Sequence, residues 1–412
     1  MQPYFWNELV IESPEAQWED SASNTPSSSD EVLDDSDIEQ DPVRTMAILS
    51  FFLDITRGAP FSFTLYGNEP YTKEDASYVH PIFSKLLDHS VQWENVTMQL
   101  RQPEFLVLRN IKGRLPMLRT LIFMASCSAS LSNHWDIFED APLLTNIKLA
   151  SLVFRFNWAS LTSIHLDSFD GDGVISALRQ TINLETFTVD QVLYNDQVDA
   201  EEAIIKLPRL KHLSIHGVLL LTFLEAPALK ELKIKFEDES GPDMEESLEE
   251  SELASRTIAF LDRSRCELSK FSSKSLASPA LTDILTHMPD IHDLSLEVAE
   301  LPDISGVFEW LGGSGLPLRQ LKVLSIFSFF EDCDMKPVQE MMALRNPMAG
   351  TIGAGPKELH MDLNGLPRST TTVLKSLESL CEDRGIHFVF DSWEESSVTV
   401  TKTPWGISII RI

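Results

Sequence analysis

The sequence predicts an α/β fold: an irregular leucine-rich-repeat solenoid, in which a curved parallel sheet carries helices on its outer side. Three observations predict it. A nine-residue phrase is written twice in close succession, as LPRLKHLSI at 207–215 and APALKELKI at 226–234. Its apolar skeleton, L-x-x-L-x-L, returns along most of the chain. Helical stretches lie between the copies.

The copies are Leu118/Leu121/Phe123, Leu144/Ile147/Leu149, Leu161/Ile164/Leu166, Leu184/Phe187/Val189, Leu210/Leu213/Ile215, Leu229/Leu232/Ile234, Ile291/Leu294/Leu296 and Leu321/Leu324/Ile326. Weaker ones are Trp93/Val96/Met98, Leu268/Phe271 and Leu359/Met361. First positions 118, 144, 161, 184, 210 and 229 step by 26, 17, 23, 26 and 19 residues. These scatter around the roughly 20–29 residues of a leucine-rich repeat. The step from Leu229 to Leu268 is 39, but Asp238–Ala254 within it is a 17-residue acidic low-complexity insertion, DESGPDMEESLEESELA. Without it the step is 22. Solenoids tolerate such an insertion on a loop.

Each part of the phrase has a physical role. Its last two apolar positions alternate with period 2, so both side chains point inward from a short strand. The first Leu packs the turn ahead of that strand. A proline there cannot donate to a sheet ladder, so it belongs before the strand. Several copies are led by proline, which argues against reading them as amphipathic helices. Helices are expected at 172–181, 199–207, 256–265, 279–288 and 338–345. Nearer the N-terminus, 42–60 reads as a helix, 61–67 as a strand and 75–90 as a helix leading into WENVTMQL. The position three residues past the strand's last apolar residue, where Asn or Cys usually ties neighbouring turns, holds Ser126, Leu152, Phe169, Val192, Val218 and Glu237. Irregular turns are therefore expected.

The organisation expected is an acidic, largely disordered segment over 1–41, the solenoid over 42–391 and a tail over 392–412. Ser13–Asp41 is rich in Ser, Asp and Glu and cannot bury a core. Trp393 and Trp405 in the tail could cap the last repeat.

Composition narrows the function. The 412 residues carry a formal net charge of −30, from 33 basic and 63 acidic side chains. Such a chain repels nucleic acid and anionic membrane unless positive charge is concentrated locally. Four cysteines, Cys127, Cys266, Cys333 and Cys381, are scattered without a C-x-x-C, which argues against a disulfide framework or zinc knuckle. The apolar runs are far shorter than the roughly 20 residues of a membrane span. No basic-then-apolar leader opens the sequence. A reduced, soluble protein of the cytoplasm or nucleus is expected.

The arrangement resembles the fungal F-box proteins with degenerate leucine-rich repeats. The phrases that carry the resemblance are PYFWNELVIE (3–12), LDITRGAPFSFTLYG (53–67), LLDHSVQWENVTMQL (86–100), LPMLRTL, FEDAPLLTNIKL and LDRSRCELSKF (261–271), in the family's order. The resemblance implies that the repeats hold a protein substrate. It also implies a Skp-type adaptor of a cullin-RING ubiquitin ligase as partner, but only if an F-box lies upstream of this chain. Residues 1–412 alone are therefore expected not to co-purify with such an adaptor. The alternative is an adaptor-independent repeat scaffold.

An enzyme is not expected, nor a cofactor, a metal or a catalytic residue. GTIGAGPK (350–357) departs from a P-loop, because Pro356 and Lys357 stand where Lys and Ser/Thr should be and a strand follows. The glycines of LGGSGLP (311–317) read as a helix stop. No H-E-x-x-H or G-x-S-x-G occurs, and the ten histidines do not sit at metal-ligand spacing.

The x positions of the eleven copies are expected on the open side of the sheet. They hold Arg119, Lys148, Lys211, Lys230, Lys233, Lys270, Lys322 and Lys357 against Glu94, Glu185, Glu231, Asp293 and Glu358, with His165, His212, His292 and His360. Eight basic against five acidic residues is a local excess on a strongly acidic chain. It marks Lys148, His165, Lys211, His212, Lys230 and Lys233 as candidate partner-binding residues for an acidic or phosphorylated protein segment.

Overall fold

The computed structural model describes residues 8–12, 42–56, 58–66, 81–100, 102–125, 135–150, 154–193, 203–235, 250–274, 276, 278–298, 305–313, 317–328, 336–345, 356–363, 371–391 and 410–411. The expected disordered segment from Ser13 to Asp41, the start of the acidic insertion, most of the P-loop-like stretch, and Trp393 and Trp405 lie outside them. Two compact units form, Met1–Leu161 with Lys402–Ile412, and Thr162–Thr401.

The first unit runs β1 (Glu8–Glu12), α1 (Pro42–Thr56), β2 (Phe61–Tyr66), α2 (Pro81–Asp88), β3 (Trp93–Leu100), α3 (Gln102–Val107), β4 (Thr120–Ala125), β5 (Trp135–Phe138), β6 (Asn146–Leu149) and β7 (Phe154–Phe156). Strands β1, β2, β3, β4 and β6 lie side by side in that order, all parallel, and Ile410–Arg411 pairs on the free side of β1. β5 and β7 form a separate parallel pair. They bring an aromatic cluster together: the Phe105 ring lies 4.3 Å from Trp135 and 5.5 Å from Phe154, centroid to centroid. The Arg109 guanidinium sits 3.8 Å over the Trp135 ring.

The second unit runs β8 (Ser163–Asp170), α4 (Gly171–Leu178), β9 (Thr186–Leu193), β10 (Ile205–Lys206), β11 (His212–His216), β12 (Leu224–Glu225), β13 (Glu231–Lys235), α5 (Glu250–Ser264), β14 (Lys270–Lys274), α6 (Ser278–Thr286), β15 (Asp293–Val298), α7 (Ser305–Leu311), β16 (Val323–Ser328), α8 (Lys336–Arg345), β17 (Glu358–Leu363), α9 (Thr371–Asp383) and β18 (His387–Asp391). Its sheet is wholly parallel, in the order β8-β9-β11-β13-β14-β15-β16-β17-β18. The α/β class with a large parallel sheet is thus what the molecule shows.

The apolar phrase sets the register. Leu213 stands opposite Phe187 and Leu232, and Ile215 opposite Val189 and Ile234. The same pairing continues through Phe271, Leu294, Leu324 and Leu359. Every apolar residue of the eight full copies is buried. The proline that leads a phrase has a definite place: it is the second residue of a four-residue turn. Leu210 N–H donates to Leu207 O across Pro208–Arg209, and Leu229 N–H to Ala226 O across Pro227–Ala228. Proline's fixed φ suits that position of a turn. The residue before it (Ala141, Leu207, Ala226 or Met288) is buried too, which gives the first position of the nine-residue phrase its own place in the core.

Among the described residues α4, α5, α6 and α7 lie in steps of 22 residues or more. Length alone does not decide it, because the 26-residue step from Leu118 to Leu144 holds strand β5. The 19-residue step from Leu210 to Leu229 has no room for one, and a 3-10 turn at Leu219–Phe223 fills it. Here one expectation is corrected. Of the helix expected over 199–207, the described end, Ile205–Lys206, is strand β10, paired with Leu224–Glu225 of β12. The following Leu207-Pro208 turn and the Leu207 N–H bond to Glu225 O hold it extended. A second correction concerns the acidic insertion. Its last residues, from Glu250, already belong to α5, because Ala254 begins the buried stripe Ala254/Thr257/Phe260/Leu261/Ser264.

Arginines near helix ends tie the outer layer to preceding turns. Arg345, in the last turn of α8, lies on the buried face with Val338, Met341 and Met342 and is itself fully buried. It donates to Leu311 O (2.9 Å), Pro317 O (2.7 Å) and Leu318 O (2.8 Å). Burial pushes its guanidinium down to about 10, still charged at neutral pH. Arg263 reaches Leu224 O and Leu221 O in the same way.

Two measurements check this architecture. Leu213→Ala should cost about 2–5 kcal/mol in urea unfolding, as large-to-small changes in packed cores do; a loss below about 0.5 kcal/mol would contradict the register. Arg345→Met should cost at least about 2 kcal/mol, because two buried carbonyls lose their donor at about 1–3 kcal/mol each and the half-buried Pro317 carbonyl loses its own. A variant within about 1 kcal/mol of the parent would show that those carbonyls do not depend on the guanidinium.

Candidate functional site

Strand residues alternate between buried and accessible. In β11, β13 and β14 the apolar positions are buried and the alternate ones are half-buried or exposed. An all-parallel sheet is usually covered on both faces. In the second unit the apolar face is covered, and the alternate positions form an accessible face.

That face is organised in rows, because the strands are in register. The middle row is Thr188, Ser214, Lys233, Ser272, Ser295 and Ser325, on six neighbouring strands. At about 4.8 Å per strand it spans about 24 Å. Its five hydroxyl residues are half-buried by their neighbours. Lys233 is the one long side chain among them, and it has no ion-pair partner among the described residues.

The flanking rows carry long charged side chains, joined across strands. On one side His212 Nδ1 lies 3.0 Å from Glu231 Oε2, and Lys270 Nζ 3.3 Å from Asp293 Oδ2. On the other side Lys274 Nζ lies 3.3 Å from Glu297 Oε1. Lys235 Nζ donates to Asp190 Oδ1 at 2.8 Å, crossing β11, the strand between. Two paired rails thus border a floor of short hydroxyls.

At one end of the face three side chains converge. His165 Nε2 is 2.7 Å from Asp190 Oδ2 and 3.3 Å from Asp167 Oδ1. All three are half-buried. Desolvation pushes the Asp190 carboxyl up, but hydrogen bonds from Lys235 and His165 outweigh it and hold the group below the usual carboxylate range.

The six residues marked by the sequence are placed unevenly. Lys233 and His212 lie on the face, and His165 lies in the convergent cluster. Lys148 lies on β6, in the first unit. Lys211 and Lys230 correct the expectation that every x position faces the open side. Each occupies the turn ahead of its strand, because its carbonyl takes two N–H groups from the next repeat. Lys211 Nζ donates to Glu185 Oε2 at 2.7 Å and lowers that carboxyl, and Lys230 Nζ lies 3.3 Å from Glu267. The hydroxyl row and the role of Asp190 were missed. Serines at the fifth phrase position are the signal for the first. For the second it is the His165-x-Asp167 spacing, which puts both side chains on one side of a strand.

A shallow cavity of about 410 Å³ also opens beside the ends of α5 and α6, lined by Arg265, Cys266 and His287 among others. Burial raises the Cys266 thiol, which disfavours the reactive thiolate. No helix among the described residues is long and apolar enough to cross a membrane. Neither a protein-family model nor a curated protein sequence matches the chain.

The Asp190 pairing has a pH signature. A carboxyl held low in the folded state contributes stability above its unfolded value, and that contribution is lost as pH falls through the folded value. The stability gap between the parent and Asp190→Asn should therefore be largest near neutral pH and narrow on acidification below about pH 4. Urea melts across that range check it; a gap independent of pH would contradict the pairing.

Proposed function

We propose that the chain is a protein-binding module of the leucine-rich-repeat solenoid type, and that it serves as the substrate-recognition part of an F-box-type ubiquitin ligase receptor. Its ligand is an extended, acidic or phosphorylated segment of the substrate, lying along the middle row of the accessible face. The observation that carries this reading is the floor of hydroxyls centred on Lys233 between two charged rails. Hydroxyls donate and accept, so they can meet both the N–H and the C=O groups of an extended backbone. A row of about 24 Å matches about seven extended residues. Lys233, with Ser214 and Ser272 opposite it on the neighbouring strands, offers an ammonium and two hydroxyls to one anionic group. A phosphate presents three acceptor oxygens to such a set. The rails are already neutralised in pairs, which leaves Lys233 to read the charge. The ligase role rests on the resemblance of the chain's phrases to fungal F-box proteins. A Skp-type adaptor is its partner where an F-box precedes the repeats.

Fluorescence anisotropy with a library of phosphoserine-containing and Asp/Glu-rich peptides tests the reading. The parent should bind members of both classes, with affinity falling as salt rises. Lys233→Glu should weaken binding at least about tenfold, the scale of one charge-assisted contact. Lys211→Glu, at a turn and already paired, should change it less than about threefold. Equal binding by parent and Lys233→Glu would overturn the assignment of the face.

A further inference from the structure

We infer that His165, Asp167 and Asp190 form a binding site for a divalent first-row transition metal, through one imidazole nitrogen and two carboxylate oxygens. This goes beyond the protein-binding reading and does not depend on it. The three side chains converge. One nitrogen, His165 Nε2, faces oxygens of two different carboxylates, at 2.7 and 3.3 Å. The three donor atoms all lie within 4.8 Å of one another. Metal–ligand bonds of about 2.0–2.2 Å place neighbouring ligands about 3.0 Å apart in octahedral and about 3.4 Å apart in tetrahedral geometry. The two nitrogen–oxygen separations lie either side of the octahedral edge and just short of the tetrahedral one.

Charge and hydrogen-bonded support also suit a cation. Two carboxylates flank the imidazole, and the Lys235 ammonium offsets one of them. A single proton on Nε2 can make one well-directed bond, whereas a cation between the three atoms meets all of them. Lys235 holds Asp190 by Oδ1 and leaves Oδ2 aimed at His165. Hydrogen-bonded support of this kind orients metal-ligating carboxylates. The donor set selects the metal class: imidazole suits zinc, nickel, copper and iron, while carboxylate oxygens complete a mixed nitrogen–oxygen sphere. All three residues stand on β8 and β9, adjacent strands whose pairing fixes their spacing. Positions not filled by protein remain for water or for an acidic group of a bound ligand.

Calorimetric titration of the full chain with zinc chloride tests this. One equivalent should bind, and zinc should raise the melting temperature by linkage to the folded state. His165→Gln and Asp190→Asn should each weaken the tightest site at least about tenfold and abolish the thermal shift, as loss of one of three ligands does. His212→Gln, which removes a different histidine of the same face, should leave both unchanged. Asp190→Asn also frees Lys235, so Asp167→Asn is the second variant should it fail to fold. A parent that binds no zinc, or a tightest site that survives His165→Gln, would overturn the assignment.

Discussion

One backbone carbonyl in each repeat holds the sheet in register. In the second unit the residue after the phrase's first apolar position turns its C=O toward the next repeat and accepts two consecutive N–H groups. Glu185 O receives Lys211 and His212, Lys211 O receives Lys230 and Glu231, and Lys230 O receives Ser269 and Lys270. Ser269, His292 and Lys322 continue the ladder. Both lone pairs of the oxygen are used, and every strand starts at the same height as its neighbour. The inward columns of Leu, Ile and Phe follow from that starting point, because a one-residue slip would turn each column to the accessible face.

This ladder explains how the chain manages without Asn or Cys after its strands. The ties lie before the strand, in the main chain, and place no demand on residue type. Side chains at those positions are free to be Glu, Lys, Ser or His. The outer layer is equally unconstrained. A 3-10 turn, a two-residue strand pair or a helix of fifteen residues can each return the chain to the next carbonyl, which is why the repeat length varies so widely. Arg263 and Arg345 then fasten particular helices by capping carbonyls of earlier turns. Polar ties on one side and an apolar column inside leave the alternate strand positions accessible.

Much of the fold was legible because the phrase states it. The eight full copies gave the strands and their inward residues, and α5, α6 and α8 fell where apolar periodicity placed them. The stretch at 205–206 was misread because its apolar residues fit a helical period while the turn after it holds it extended. Arg345 was invisible, since an arginine at a helix end reads as a solvated residue until the carbonyls it caps are seen. The accessible face was only half legible. Charge counting marked Lys233 but also Lys211 and Lys230, because it could not distinguish a turn position from a strand position. Asp190 joins His165 only through the pairing of β8 with β9, a relation that linear spacing does not contain.

The central claim is that one row of half-buried side chains runs straight across the parallel strands and stays accessible. A distance measurement along that row tests it most directly. Spin labels at Thr188→Cys and Ser325→Cys, five strand steps apart, in a chain whose four native cysteines are replaced by serine, should give a single population centred at about 24 Å, broadened by the label linkers. A separation well beyond about 35 Å, or several populations, would contradict the register and with it the row on which the proposed binding face depends.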